Sequence, residues 1–180
     1  MDMTILQVIQ TWHTPVLDKI MVTLFHTIID EKGIFAVVLG LLLFFIPKTR
    51  RCGGLMLLSV LFSFLLGGPL LKNLICRPRP FLKDTSVALI TEPPHGYSFP
   101  SLHTANAFAC AATVFLRNKK AGIPCLLFAA LIGFSRLYFF VHYPSDILCG
   151  AVLGTVTAVI VSKAVKAILS RRMNKSSQEV

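Results

Sequence analysis

Long apolar runs separated by short charged clusters set the pattern of this chain. Residues 53–75, 123–141 and 147–169 each come near the roughly 20 residues that a helix needs to cross the hydrocarbon core of a bilayer, and each holds few charges. These runs are expected to be transmembrane helices. Residues 101–116 are apolar and rich in small side chains that permit close helix contact. Ser101 stands at their start, and serine is a preferred N-cap, so a helix is expected to begin there. Residues 33–46 are short for a crossing and imply extension into polar flanks or local thinning of the bilayer. A first crossing ending near Ile29 is the weakest, because Asp18, Lys19 and His26 interrupt it. Ahead of it, residues 4–12 mix apolar and polar positions at helical spacing, and Trp12 and Pro15 suit an interfacial helix.

Breakers fall between these runs. Gly67-Gly68-Pro69 predicts a kink just before Lys72. Residues 77–99, with Pro78, Pro80, Pro93 and Pro94, read as a polar loop. Gly150 and Gly154 match the small-x-x-x-small pattern, which in a compact bundle points to packing within the chain rather than between copies. The expected fold is all-α: one domain over residues 1–180, a polytopic bundle of about six transmembrane helices. Residues 1–15 would hold the interfacial helix and 170–180 a cytoplasmic tail.

Composition supports this and narrows the partners. The chain has 180 residues, 54% hydrophobic and only 14% charged, with a mean hydropathy of +0.72, far from the charge content of a soluble domain. Membrane lipids are therefore partners. The net charge of +10 does not indicate nucleic acid, because the basic residues lie at the ends of apolar runs and form no stripe with aromatics between. The first residues lack the basic segment and cleavage site of a signal peptide, so the mature chain is expected to begin here. Five cysteines show no paired spacing of a zinc site, and most read as small core residues; Cys76 and Cys149 could share a membrane face, which alone does not predict a disulfide. Nothing in the sequence specifies an oligomeric state.

Charge also sets orientation. Counting membrane ends in order, Lys48, Arg50, Arg51, Arg117, Lys119, Lys120, Lys163, Lys166, Arg171, Arg172 and Lys175 fall on one side. Lys32, Lys72, Arg77, Arg79, Lys83 and Arg136 fall on the other, with Asp30, Glu31, Asp84, Glu92 and Asp146. The positive-inside rule assigns the first set to the cytoplasm.

The ionisable residues of the outward side are costly in a greasy chain and invite a functional reading. Taken singly, Lys72 could snorkel, and Arg77 and Arg79 could anchor to lipid phosphates. Arg136 changes the reading, because it adds a cation at the same level from a separate apolar run, and cations from several chain positions suit a phosphate dianion. The helix start at Ser101 contributes free N–H groups and a positive dipole end. His103 follows at the same depth. His142 and Asp146 are four apart across Tyr143-Pro144-Ser145; on a helical first turn, which Pro144 suits, the carboxylate can orient the imidazole as a base or nucleophile. His103, His142 and Asp146 could instead be metal ligands, but the surrounding cations would repel a divalent ion and carboxylates are few. No metal and no cofactor are expected.

The order Lys72-x6-Arg79-Pro80, Pro100-Ser101-Leu102-His103 and Ser135-Arg136-x5-His142-x3-Asp146 resembles the three-part signature of the type 2 phosphatidic acid phosphatase superfamily. The resemblance implies a six-helix membrane bundle with its site near the outer surface and metal-independent hydrolysis. Lys72, Arg79, Ser101, Arg136 and the backbone at Leu102 and His103 would bind phosphate. His142 would attack phosphorus to give a phosphohistidine, Asp146 would orient it, and His103 would protonate the leaving oxygen. The family usually has glycine where this chain has Leu102; the N–H survives, and a branched side chain is added at the pocket mouth.

The expected function is hydrolysis of a lipid phosphate or diphosphate at the outer face of a bacterial plasma membrane. Undecaprenyl diphosphate heads the candidate substrates, ahead of phosphatidylglycerophosphate and phosphatidic acid. A non-catalytic binder or transporter of phosphorylated lipids is the rival of another class, though binding alone needs only the cations. Strong hydrophobicity weighs against a soluble haloperoxidase-like role.

Overall fold

The computed structural model describes residues 1–28 and 34–176, and the elements among them are helices with no strand. The chain opens with α1 (Asp2–Gln10) and α2 (Pro15–Met21), which runs on as a π-helical stretch, Val22–Ile28. Next come α3 (Ile34–Phe45) and α4 (Arg50–Leu65), the latter continued by a second π-helical stretch, Leu66–Lys72, and by α5 (Asn73–Ile75). A short α6 (Pro80–Lys83) precedes three long helices: α7 (Leu102–Arg117), α8 (Lys119–Tyr138) and α9 (Pro144–Ser176). Ile29, where the first crossing was expected to end, and Asp30, Glu31 and Lys32 of the outward charge set lie outside the described residues, as do residues 177–180 of the tail.

Caps explain where the helices start. Thr14 accepts from the Leu17 N–H ahead of Pro15, Ser101 from the Thr104 N–H, and Asn118 from the Ala121 N–H, each satisfying a donor that the first turn leaves without an intrahelical partner. Ser101 therefore begins α7 as expected. The Asn118 cap starts α8 four residues before the expected 123. The same helix stops at Tyr138, short of the expected 141. Phe139, Phe140 and Val141 are apolar because they are buried beneath the loops, not because they face lipid, and Phe140 turns the chain with φ 57°.

The centre of the bundle is α7, packed against α4, α8 and α9. Its alanines allow this, and Gly150 and Gly154 complete the seam with α9. A Cβ on Gly150 would lie 2.6 Å from the Ser101 carbonyl, and one on Gly154 2.0 Å from the Ala105 carbonyl. The glycine pair is thus an intramolecular contact. The expected kink at Gly67-Gly68-Pro69 is taken up by the π-helical stretch, which contains Pro69, a residue with no N–H for the helical ladder.

Among the described residues three helical stretches are long and apolar enough to cross a membrane: Arg50–Lys83, Lys119–Tyr138 and Pro144–Arg171, with Ile34–Phe45 as a shorter apolar helix. By length and composition these do not reach the expected six. At the end of the bundle that carries the polar loops, α1 folds over the Phe139–Tyr143 turn, with Leu6 buried beside Phe140 and Tyr143 and Ile9 beside Tyr138 and Phe139. Cys76 and Cys149 are free thiols, both exposed.

Candidate active site

Arg136 lies in the last turn of α8, Pro144 begins α9, and the five-residue link between α8 and α9 carries His142. A backbone bond from the Val141 N–H to the Arg136 carbonyl, 3.2 Å, folds this link back on the helix end. The Ser101 N–H donates to the Asp146 carbonyl at 3.2 Å, so the start of α7 is tied to the first turn of α9. These two bonds join the second motif to the third, and a bond from Arg79 to the Val141 carbonyl brings in the first, so all three meet at one end of the bundle.

His142 is buried. Its Nε2 lies 3.4 Å from an Arg79 guanidinium nitrogen. A guanidinium can only donate, so Nε2 is the acceptor and the ring proton sits on Nδ1. That nitrogen is 3.5 Å from Asp146 Oδ2, an ion-pair separation longer than a formed hydrogen bond, as is common at catalytic contacts before substrate tightens them. Burial pushes the His142 pKa down to about 4, against the upward pull of Asp146 and with help from the Arg79 and Lys72 charges. The imidazole is therefore neutral near pH 7, with a lone pair on Nε2, which is what a nucleophile requires.

The carboxylate behind it is fully buried and held on both oxygens. Asp146 Oδ2 accepts from the Tyr143 N–H at 3.0 Å, and Oδ1 accepts from Arg77 at 2.6 Å. Arg77 also donates to Ser145 Oγ at 2.7 Å and to Asp2 at 2.8 Å, and lies 3.8 Å over the Tyr143 ring. Sequence reasoning placed Arg77 among the outward cations and gave it no role here. Neither its spacing nor its neighbours in sequence reveal that its partner is a buried carboxylate 69 residues away.

In front of His142 is a cavity of about 470 Å³, lined among others by Lys72, Arg79, Leu102, His103, Arg136 and His142. Arg79 is positioned by bonds to the carbonyls of Gly96 (2.9 Å), His95 (3.1 Å) and Val141 (3.0 Å). Lys72 donates to the Tyr97 carbonyl, and Arg136 to the Phe25 carbonyl and to Ser135 Oγ at 3.2 Å. These carbonyl contacts fix the direction of the three cations, and together they line the cavity with the kind of donors that an anion needs. Ser101 differs from its expected place: its side chain is fully buried, does not line the cavity, and serves as the α7 cap and as acceptor for the Thr104 hydroxyl at 3.0 Å. Leu102 lines the cavity and packs on Gly67 of the π-helical stretch.

A second, apolar cavity of about 310 Å³ runs between α3, α4, α7 and α8. It shares His103 and Asn106 with the first. Asn106 was not singled out from sequence; its Oδ1 is buried without a hydrogen-bond partner at this junction.

Comparison with known proteins agrees with this arrangement. The chain is 36% identical to the undecaprenyl-diphosphatase BcrC of Bacillus subtilis over 155 residues, which cover 80% of this chain and 72% of that protein. It is 31% identical to the bacitracin transport permease protein BcrC of Bacillus licheniformis, over 73% of this chain and 66% of the relative, so it spans about two thirds of that protein's length. The crystal structure of Aquifex aeolicus LpxE superposes with a TM-score of 0.78 at 29% identity, covering 90% of this chain and 94% of that one. Residues 53–169, which include every motif of the site, match the PAP2 superfamily, and the chain belongs to that superfamily.

Proposed function

We propose that the protein is a lipid phosphatase that removes the terminal phosphate of undecaprenyl diphosphate, with no metal, through a phosphohistidine on His142. The observation that carries this reading is the meeting of two cavities at His103 and Asn106, one cationic and one apolar. Together they fit an amphiphile with a phosphorylated head and a hydrocarbon tail. The name of the Bacillus subtilis relative supports the diphosphate.

Lys72, Arg79 and Arg136 bind the terminal phosphate, aided by the N–H groups that begin α7 at Leu102 and His103. His142 Nε2 attacks phosphorus, the bond to the bridging oxygen breaks, and the lipid monophosphate leaves. Asp146 stabilises the positive charge that develops on the imidazole. His103 protonates the leaving oxygen where the leaving group needs it. Water, giving a proton to His103, then breaks the P–N bond and releases inorganic phosphate.

The helices from Pro15 to Ile28, α3, α4 with its π-helical extension, α7, α8 and α9 supply six passes through a bacterial plasma membrane. The distribution of positive charge among the loops supports a site at the outer face. Phosphatidylglycerophosphate and phosphatidic acid are the alternative substrates. A binder or transporter of lipid phosphates is the alternative class, and the permease name of the Bacillus licheniformis relative keeps it in view.

Phosphate release by the purified chain from undecaprenyl diphosphate, phosphatidylglycerophosphate and phosphatidic acid, with a chelator present, tests the proposal. Turnover is expected on all three, fastest on the diphosphate. Binding of all three with no phosphate released would leave the transporter reading standing.

A further inference from the structure

We propose that Arg77 is the positioning residue of the catalytic pair and that Asp2, on α1, holds Arg77 in place; the assignment rests on the phosphatase reading above. Arg77 stands two positions before Arg79 and was counted with the same outward cations, yet the two arginines face different partners. Arg79 lines the cationic cavity, donates to the carbonyls of Gly96, His95 and Val141, and faces His142 Nε2. Arg77 does not line that cavity, and its charge is met by two carboxylates, Asp2 and Asp146.

The guanidinium is held by polar partners at both ends and by an aromatic ring, though it remains partly exposed. One terminal nitrogen reaches Asp146 Oδ1 at 2.6 Å and Ser145 Oγ at 2.7 Å, and the other reaches Asp2 Oδ2 at 2.8 Å. Ser145 Oγ donates to the same Asp2 oxygen at 2.5 Å. The guanidinium plane is seated 3.8 Å from the centre of the Tyr143 ring. With the Tyr143 N–H on Asp146 Oδ2, both oxygens of that carboxylate are fixed, so it cannot rotate away from His142 Nδ1. A planar fork over an aromatic ring can serve these partners together, whereas a lysine ammonium offers a point charge. Asp2 lies in the first turn of α1, which Leu6 and Ile9 bury against the same link. The N-terminal helix thereby reaches His142 through two intervening residues, Arg77 and Asp146.

The test compares kcat, KM and competitive inhibition by inorganic phosphate for the full chain, Arg77→Met, Arg77→Lys and Asp2→Asn, on a short-tailed prenyl diphosphate. A residue that acts through the orientation of another lowers kcat, while one that binds phosphate raises KM. Loss of a partner that orients a metal-bound histidine typically costs about 10–100-fold, and a loss of the same order is expected for the partner of a nucleophilic one. Arg77→Met is expected to lose kcat in that range with KM and phosphate inhibition nearly unchanged. Arg77→Lys should recover part of the loss, and Asp2→Asn should fall between wild type and Arg77→Met. A raised KM and weakened phosphate inhibition at unchanged kcat would overturn the proposal and make Arg77 a phosphate ligand. Should Arg77→Met fail to fold, Asp2→Asn on the outlying helix decides, and an unchanged kcat there overturns it. A silent wild type would instead refute the phosphatase reading and this assignment with it.

Discussion

Leu102 and Gly67 interlock: a Cβ placed on Gly67 would stand 2.7 Å from Leu102 Cδ2. The leucine that occupies a usual glycine position of the signature is therefore accommodated by a missing side chain on the π-helical stretch, next to the cavity it lines.

Two outcomes follow from that contact. Leu102→Gly keeps the N–H at the start of α7 but empties volume beside the phosphate site, so it should change the ranking of lipid substrates while leaving substantial turnover on at least one. Uniform loss across a lipid panel would instead mean that the helix start is disrupted. Gly67→Ala should destabilise the chain, since overpacking typically costs about 1–3 kcal/mol, and Leu102→Ala in the same chain should restore much of that. Thermal unfolding of the two single variants and the double variant measures the coupling; additive losses would show that the two residues do not share the space.

Orientation gives the next expectation. The loops at 48–51 and 117–120 should be cytoplasmic and the loop at 77–99 external, because the first two hold the greater part of the lysine and arginine at short-loop ends. With the native cysteines replaced, Thr85→Cys, an exposed position, should react with an impermeant maleimide in intact cells, and Lys119→Cys only after permeabilisation. The reverse pattern would turn the site to the cytoplasm.

The acid side of the pH profile depends on His142. An exposed histidine is half protonated near pH 6.5 and would lose its nucleophilic lone pair below that. Here burial, with the charges of Arg79 and Lys72, lowers the pKa to about 4. The neutral form therefore persists as pH falls through 6.5 and is lost only as pH approaches that lower value. The profile of kcat/KM, which reports the free enzyme, should show its His142 limb well below pH 6 on a diphosphate substrate. A limb at 6.5 that moves with no other group would contradict the buried, neutral imidazole.

Much of this molecule is legible in its sequence because lipid imposes simple demands. Apolar runs near the bilayer thickness located α4, α8 and α9, the Ser101 cap located α7, and the order Lys72, Arg79, His103, Arg136, His142, Asp146 marked residues that the structure gathers at one end of the bundle. What stayed hidden depends on contacts between distant positions. Phe139 to Val141 read as helix because core and lipid-facing residues look alike in hydropathy, and only burial separates them. Ser101 can cap or bind phosphate with the same hydroxyl, and in this structure the hydroxyl is turned to Thr104. Arg77 looked like another phosphate cation until its carboxylate partners were visible, and Asn106 looked like any polar residue in a helix until two cavities were seen to meet there.

The sharpest separation of enzyme from binder comes from the two histidines. In the proposed mechanism every substrate needs attack by His142 Nε2, so His142→Ala should abolish phosphate release from all of them while lipid binding persists, since Lys72, Arg79 and Arg136 remain. His103 is proposed to act on the leaving group, and its weight should then depend on that group. A monoester such as phosphatidic acid expels an alkoxide, which needs a proton in the transition state, and general acids typically contribute about 10²–10⁴-fold. A diphosphate expels a phosphate monoester, stable as an anion and far less in need of that proton. His103→Ala should therefore lower kcat/KM on the monoester more than on the diphosphate when tails are matched. The position of His103 at the junction of the two cavities, where the head would pass into the tail, suits it to that oxygen. Equal losses on both substrates would show that His103 acts by binding phosphate, and the acid would have to be sought elsewhere in the cavity.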